Sequence, residues 1–302
     1  MPSAPPSFGS QEYWNKRFTA NSHPFEWLEA PNVLDPYIVD ALRGSRGPDP
    51  QLLHIGCGTS LLSYHMRAHV EKPGQIHNVD YSDVASDVGR KREAEIFNAD
   101  ALVEEKSQNS DACTPSYMRW STADLLDHSS ILKACEPSSY SVIVDKSTSD
   151  SIACSDDIYV PLPYHVVTSI EDFSNTVLTQ SSEPLHPLHI LAVHLALATK
   201  PGGRWISLSY STDRYPFLKS PLTEPTPETS QTAMNSASLP LQGTNQDGFP
   251  DPSTLWRLVG KYEIEPQAPS KSSPGHGITH RPKVLHWIYV LERTDVPLFV
   301  RT

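Results

Sequence analysis

The 302-residue chain lacks several things, and each absence excludes something. No apolar run approaches the roughly 20 residues that cross a bilayer, so no membrane partner is expected. No block of Lys or Arg occurs, and 24 basic against 35 acidic residues leave a formal charge of −11. Phosphate binding needs a basic footprint, so nucleic acid is not expected as the main partner, whereas a basic protein would tolerate the charge. Cysteine is scarce: Cys57, Cys113, Cys135 and Cys154 have no metal-site spacing. His54, His65 and His77 fall on a strand, a helix and a strand start without a fourth ligand, so no metal is assigned. With no leader pattern and no disulfide framework, a reduced, cytoplasmic setting is the expectation.

What is present begins with Leu52-Leu53-His54-Ile55-Gly56-Cys57-Gly58-Thr59-Ser60. About twenty residues later comes Ile76-His77-Asn78-Val79-Asp80-Tyr81-Ser82. A short apolar strand, a glycine turn, a helix, a second strand and a terminal acid form the order of a nucleotide-binding βαβ unit. The glycines let backbone approach a ligand closely, and the Asp80 carboxylate is placed to accept ribose hydroxyls. A pyrophosphate usually demands a third glycine, and here Gly58 is followed by Thr59, Ser60 and Leu61. S-adenosylmethionine has a ribose and an adenine but no pyrophosphate, and fits better.

Three further segments extend the sheet. Residues 117–126 read as a third strand ending in Asp124 and Leu125, where a carboxylate is placed to meet the adenine amine. Tyr140-Ser141-Val142-Ile143-Val144-Asp145-Lys146 is a β-branched run breaking into a polar segment. Residues 189–200 read as a helix stopped by Pro201-Gly202-Gly203, followed at once by a fifth strand. In a parallel sheet ligands sit at the carboxyl ends of strands, where Gly56, Asp80, Asp124 and Lys146 fall.

These motifs resemble the class I, seven-strand S-adenosylmethionine-dependent methyltransferases, and within them the protein-lysine methyltransferases acting on elongation factor 1A. The narrower likeness rests on Glu12-Tyr13-Trp14-Asn15-Lys16-Arg17-Phe18 with Phe25-Glu26-Trp27-Leu28, and on Asp145-Lys146-Ser147-Thr148-Ser149-Asp150. The resemblance implies an α/β, Rossmann-like seven-stranded sheet with helices on both faces and an N-terminal aromatic lid. It implies S-adenosylmethionine as cofactor and S-adenosylhomocysteine as product. It also implies cofactor contacts from Trp14, Phe18, Trp27, Gly56, Gly58, Asp80, Tyr81, Asp124, Leu125 and Lys146. Ser147 and Ser149 depart from the group's Gly and Leu, and residues 209–215 are richer in aromatics than usual.

The sulfonium methyl is already activated, so the enzyme mainly aligns a nucleophile and keeps its lone pair free. For a lysine amine, a carboxylate that orients it or takes its proton is required, and Asp145 and Asp150 are the candidates. Asp150 reads equally well as the cap of a helix starting at Ser151. Composition alone favours Lys146 pointing into solvent, and aromatics at Trp14 and Phe18 usually staple a helix to its domain. The acceptor is therefore a protein, such as a translation elongation factor, or a small N- or O-nucleophile. A non-catalytic methyltransferase-like binding module is the reading from a different class.

One domain over residues 11–302 is expected, after a disordered stretch over residues 1–10. Polar insertions are expected near 98–116, 155–187 and 216–252. A helix over 253–261, a strand at 262–265 and a last strand at 284–291 complete the reading.

Overall fold

The computed structural model describes residues 6–104, 117–169, 178–218, 248–266 and 284–301. In chain order, helices α1 (Gln11–Ala20) and α2 (Asp35–Gly44) precede strand β1 (Leu52–Ile55). Then follow α3 (Leu62–Met66), β2 (Ile76–Asp80), α4 (Asp83–Glu104), β3 (Arg119–Thr122), α5 (His128–Ala134), β4 (Tyr140–Lys146) and α6 (Thr148–Ile152). Short strands β5 (Pro161–Leu162), β6 (Val166–Val167) and β7 (Thr179–Gln180) lead to α7 (Pro187–Ala198) and β8 (Thr199–Ser209). The chain closes with α8 (Pro252–Leu255), β9 (Trp256–Ile264), β10 (His286–Arg293) and β11 (Phe299–Val300).

Seven strands form one sheet in the order β3-β2-β1-β4-β8-β10-β9, and β10 runs antiparallel to both its neighbours. The central strands β1 and β4 are buried along their whole length, as parallel strands covered on both faces must be. Side-chain alternation divides the core. Leu53, Ile55, Ile143 and Trp205 face α7, whose Leu191 and Leu195 are fully buried. Leu52, Val142, Val144 and Ile206 face the other way, onto Ile38 of α2, Leu34 and Met66. Helix α7 starts with Pro187 and is capped by His186, whose ring accepts the Leu188 amide at 3.2 Å.

Two expectations need correction. Residues 256–261 are strand, not helix: only Pro252–Leu255 is helical, and Trp256 onward pairs with β10. Partnering by an edge-seeking strand outweighs local helix propensity there. The 155–187 stretch is more than a polar insertion. Its Val160, Leu162, Tyr164 and Val166 enter the core beneath α7, and Tyr164 donates to His194 at 2.8 Å. The expected insertion at 216–252 falls mostly outside the described residues, but its flanks, Phe217 and Phe249, are buried. The outer part of the 98–116 segment also lies outside them, while α4 runs through Glu104.

Candidate active site

The carboxyl ends of β1, β2 and β4, together with α1 and the 21–30 loop, wall a cavity of about 580 Å³. Its floor is the glycine turn. Gly56 and Gly58 hold φ of +55° and +50°, and a Cβ on Gly56 would stand 2.2 Å from Thr148 Oγ1. Only glycine combines that backbone with that proximity. Asp80, at the end of β2, accepts the Gly58 amide through Oδ2 and the Ser82 amide through Oδ1, each at 2.9 Å. Each carboxylate oxygen keeps lone-pair capacity for a ligand. Burial pushes the Asp80 carboxyl up to about 6, against the pull of its amide donors. Beside it, Tyr81, Asp124 and Leu125 line the same wall. Asp124 is exposed, and its Oδ1 takes the Leu126 amide at 2.9 Å.

The aromatic segment forms the opposite wall. Trp14 stacks on Phe18 with ring centroids 5.6 Å apart, and Trp27 meets Trp14 edge-on at 6.2 Å. The cluster both staples α1 against Ala85 of α4 and faces the cavity, so the two readings of these rings are compatible. The expectation of a disordered tail fails at its inner end. Phe8 packs edge-on to Trp27 at 5.6 Å and accepts the Trp14 indole N–H at 2.7 Å. Phe8 is a wall residue that composition had concealed within a Pro/Ser-rich stretch.

Lys146 does not point into solvent. Its ammonium is buried and paired with Glu26, which also accepts the Ser60 hydroxyl at 2.8 Å and the Leu61 amide at 2.6 Å. Burial pulls the Lys146 pKa down and the Glu26 partner opposes it. The pair fastens the aromatic loop to both the end of β4 and the turn after Gly58.

Asp145 and Asp150 part ways. Asp145 is fully buried and is not among the cavity-lining residues. It accepts the Thr148 and Ser149 amides at 2.9 and 3.2 Å, so it, not Asp150, satisfies the start of α6. Its other oxygen takes the Ser149, Ser207 and Tyr215 hydroxyls. Asp150 lies within α6, lines the cavity, and contacts Arg214 Nε at 2.8 Å, Ser209 Oγ at 2.5 Å and the Tyr210 amide at 3.2 Å. Burial pushes its pKa up, against Ser209 and Arg214. Ser147, standing where the related group has Gly, keeps a left-handed φ of +66°. Its Oγ is buried without a partner among the described residues.

The cavity thus gathers Trp14, Phe18, Trp27, Gly56, Gly58, Asp80, Tyr81, Asp124, Leu125, Lys146 and Asp150, but not Asp145. Sequence reasoning missed Phe8, the pairing of Arg214 with Asp150, and the pair Glu29–His286, since nothing local marks residues 257 positions apart as partners. It also missed that His65 and His69, four apart, both reach Asp35 Oδ1, at 2.7 and 2.9 Å. That carboxylate bridges both rings and ties α3 and the turn after it to α2.

No family model matches the chain. It is 30% identical over 210 residues to the methyltransferase srdJ of Neurospora crassa, covering 70% of each chain. It is 26% identical over 206 residues to EEF1A lysine methyltransferase 4 of Mus musculus, spanning 66% of this chain and 60% of that protein. A solved S-adenosylmethionine-dependent methyltransferase of Anabaena variabilis superposes with a TM-score of 0.45 at 16% identity, over 97% of this chain and 96% of that one. The chain belongs to the class I, seven-strand S-adenosylmethionine-dependent methyltransferases.

The residues present fit the cofactor. Asp80 retains acceptor capacity for a ribose, the close-approach turn at Gly56 and Gly58 lies beneath the cavity, and Ser147, whose Oγ has no partner among the described residues, lines it. When bound, S-adenosylmethionine supplies the activated methyl group.

Proposed function

We propose that the acceptor is a lysine amine of a basic protein, with Asp150 as the carboxylate that orients it. The observation that carries this reading is that Asp150, alone of the two carboxylates flanking the end of β4, lines the cavity. Tyr210, 55% exposed, and Val284, 65% exposed, line the same cavity and offer apolar surface suited to the stem of a lysine. The formal charge of −11 favours a basic partner, and one relative is named as a lysine methyltransferase. The cofactor contacts proposed are Trp14, Phe18, Trp27, Gly56, Gly58, Asp80, Tyr81, Asp124, Leu125 and Lys146. Asp145 is proposed as the positioning residue of α6, no longer as a group that meets the acceptor. No described helix is long and apolar enough to cross a membrane, and we propose a cytoplasmic setting.

A small-molecule N- or O-acceptor is the second reading. Arg214 supports it, because a carboxylate already held by a guanidinium and two other donors has less left for a cation. Incubation with methyl-labelled S-adenosylmethionine and either elongation factor 1A or a cell extract separates the two. Label in protein supports lysine transfer, and label confined to the small-molecule fraction overturns it.

A further inference from the structure

Methyl transfer to an N–H or O–H nucleophile releases one proton, and a base at the acceptor end has to receive it. We propose that His286, oriented by Glu29, is that base. The inference rests on methyl transfer as the reaction but not on which acceptor is used.

Position comes first. β10 lies antiparallel to β8 with Trp287 opposite Ser209, so His286 stands level with Tyr210 at the carboxyl edge of the parallel strands. The Tyr210 amide is also what Asp150 Oδ2 accepts, which puts both groups at one end of the cavity, away from Asp80 and Asp124. His286 lines that cavity with Leu28, Tyr210 and Val284. Its Nδ1 is 2.7 Å from Glu29 Oε1, and the two side chains are 9% and 10% exposed.

A carboxylate without its proton only accepts, so Nδ1 is the nitrogen that donates to Glu29, and in the neutral ring with that tautomer Nε2 holds the lone pair. No described residue bonds Nε2. An imidazole held by a carboxylate through one nitrogen and open to the cavity through the other is the arrangement of a directed base.

The other candidates are occupied. Asp150 is engaged by Ser209, Arg214 and Tyr210, and Asp145 is sealed from the cavity. Glu26 is paired with Lys146. His54 is wedged between Ser63 and Asn78, and burial pushes it down to about 4, which makes it a weak base.

The step balances. As the acceptor lone pair bonds to the methyl carbon, the methyl–sulfur bond breaks and its electrons stay on sulfur. The acceptor proton passes to Nε2, and the imidazolium so formed faces the Glu29 carboxylate until it releases the proton to water. For a lysine, Nε2 receives the ammonium proton before transfer. Lys146 is the other charge that Glu29 senses, and its pairing with Glu26 offsets it.

The test uses the full chain, labelled with ¹⁵N, and reads the ring nitrogens of His286 by NMR, with His286→Gln assigning the signal. The expected result is a neutral ring protonated at Nδ1, with that preference lost in Glu29→Gln. In parallel, methyl transfer to elongation factor 1A is expected to lose about 10²-fold or more in kcat for His286→Gln, with S-adenosylhomocysteine affinity within twofold of wild type. A wild-type ring protonated at Nε2, or a His286→Gln variant with kcat within twofold, overturns the proposal. If elongation factor 1A takes no label from wild type while S-adenosylhomocysteine still binds, the lysine reading fails by itself, and the ring protonation decides the base. If His286→Gln does not fold, the wild-type ring, assigned through Glu29→Gln, still decides it: protonation at Nδ1 supports the base and protonation at Nε2 overturns it.

Discussion

Gly58 donates its amide to Asp80 Oδ2 at 2.9 Å, across 22 residues of sequence. The bond closes the glycine turn of β1 onto the end of β2 and fixes the carboxylate that faces the cavity. Because burial raises that carboxyl to about 6, it has to be ionised to accept ribose hydroxyls. S-adenosylhomocysteine affinity is therefore expected to be flat above about pH 7 and to fall as pH drops through 6, by up to about tenfold per unit. Asp80→Asn is expected to lose at least about tenfold at pH 8 and to flatten the slope. Calorimetric titration from pH 5 to 8 checks both, and a slope surviving in the Asn variant would remove Asp80 from the ribose site.

Phe8 and Trp14 couple the tail to the cavity through an indole N–H bond of 2.7 Å and ring contacts. Phe8→Ala should weaken S-adenosylhomocysteine binding by roughly 5- to 30-fold, in line with about 1–2 kcal/mol of aromatic contact. Tryptophan fluorescence should respond to the ligand in wild type. Unchanged affinity in the Ala variant would make this wall purely structural.

Asp150 and Arg214 are an almost fully buried pair, with side chains 6% and 10% exposed. Removing the charge from one leaves the other uncompensated, so Asp150→Asn should destabilise by about 3 kcal/mol. Adding Arg214→Met should recover part of that loss. If Asp150 also orients the acceptor, turnover in the single variant falls about 10²-fold or more at unchanged cofactor affinity. Turnover within twofold would confine Asp150 to holding α6 against β8.

Ser147 occupies a left-handed backbone and buries a hydroxyl with no partner among the described residues. Ser147→Gly relieves about 1–2 kcal/mol of backbone strain and the desolvated hydroxyl, against about 0.5–1 kcal/mol of added chain entropy. A net gain of about 1 kcal/mol is expected, visible as a rise in Tm of about 2 °C. A lower Tm would mean that this hydroxyl has a partner in solution.

His54, His77 and His194 are all buried, and burial lowers each from 6.5 to about 4. The unfolded chain binds these protons at a higher pH than the folded one. Stability is therefore fully present above about pH 6.5 and is lost as pH falls toward 4, by roughly 3 kcal/mol per histidine at most. Urea titrations at pH 7.5, 5.5 and 4.5 should show this decline. His77→Gln, which keeps polar reach toward Tyr140 and Ser121, should make it shallower.

The order of elements was legible in the sequence because each carries its own local signal. A short apolar run before a glycine turn marks β1, a β-branched run marks β4, Pro-Gly-Gly marks the entry to β8, and the acid Asp80 closes β2. The cofactor wall shares that legibility, since Gly56, Gly58 and Asp80 sit at fixed offsets within one βαβ unit. The strand at Trp256–Lys261 was not legible, because pairing with β10 rather than local propensity decides it. The acceptor wall was not legible either. Lys146 with Glu26, Asp150 with Arg214, and His286 with Glu29 join residues far apart in sequence, and only burial of their charges makes each pairing obligatory. Asp145 and Asp150 are indistinguishable as letters. The tertiary structure turned one inward and left the other on the cavity wall, because Asp145, at the end of β4, is spent on the first amides of α6, whereas Asp150 stands on α6 itself, where that helix lines the cavity.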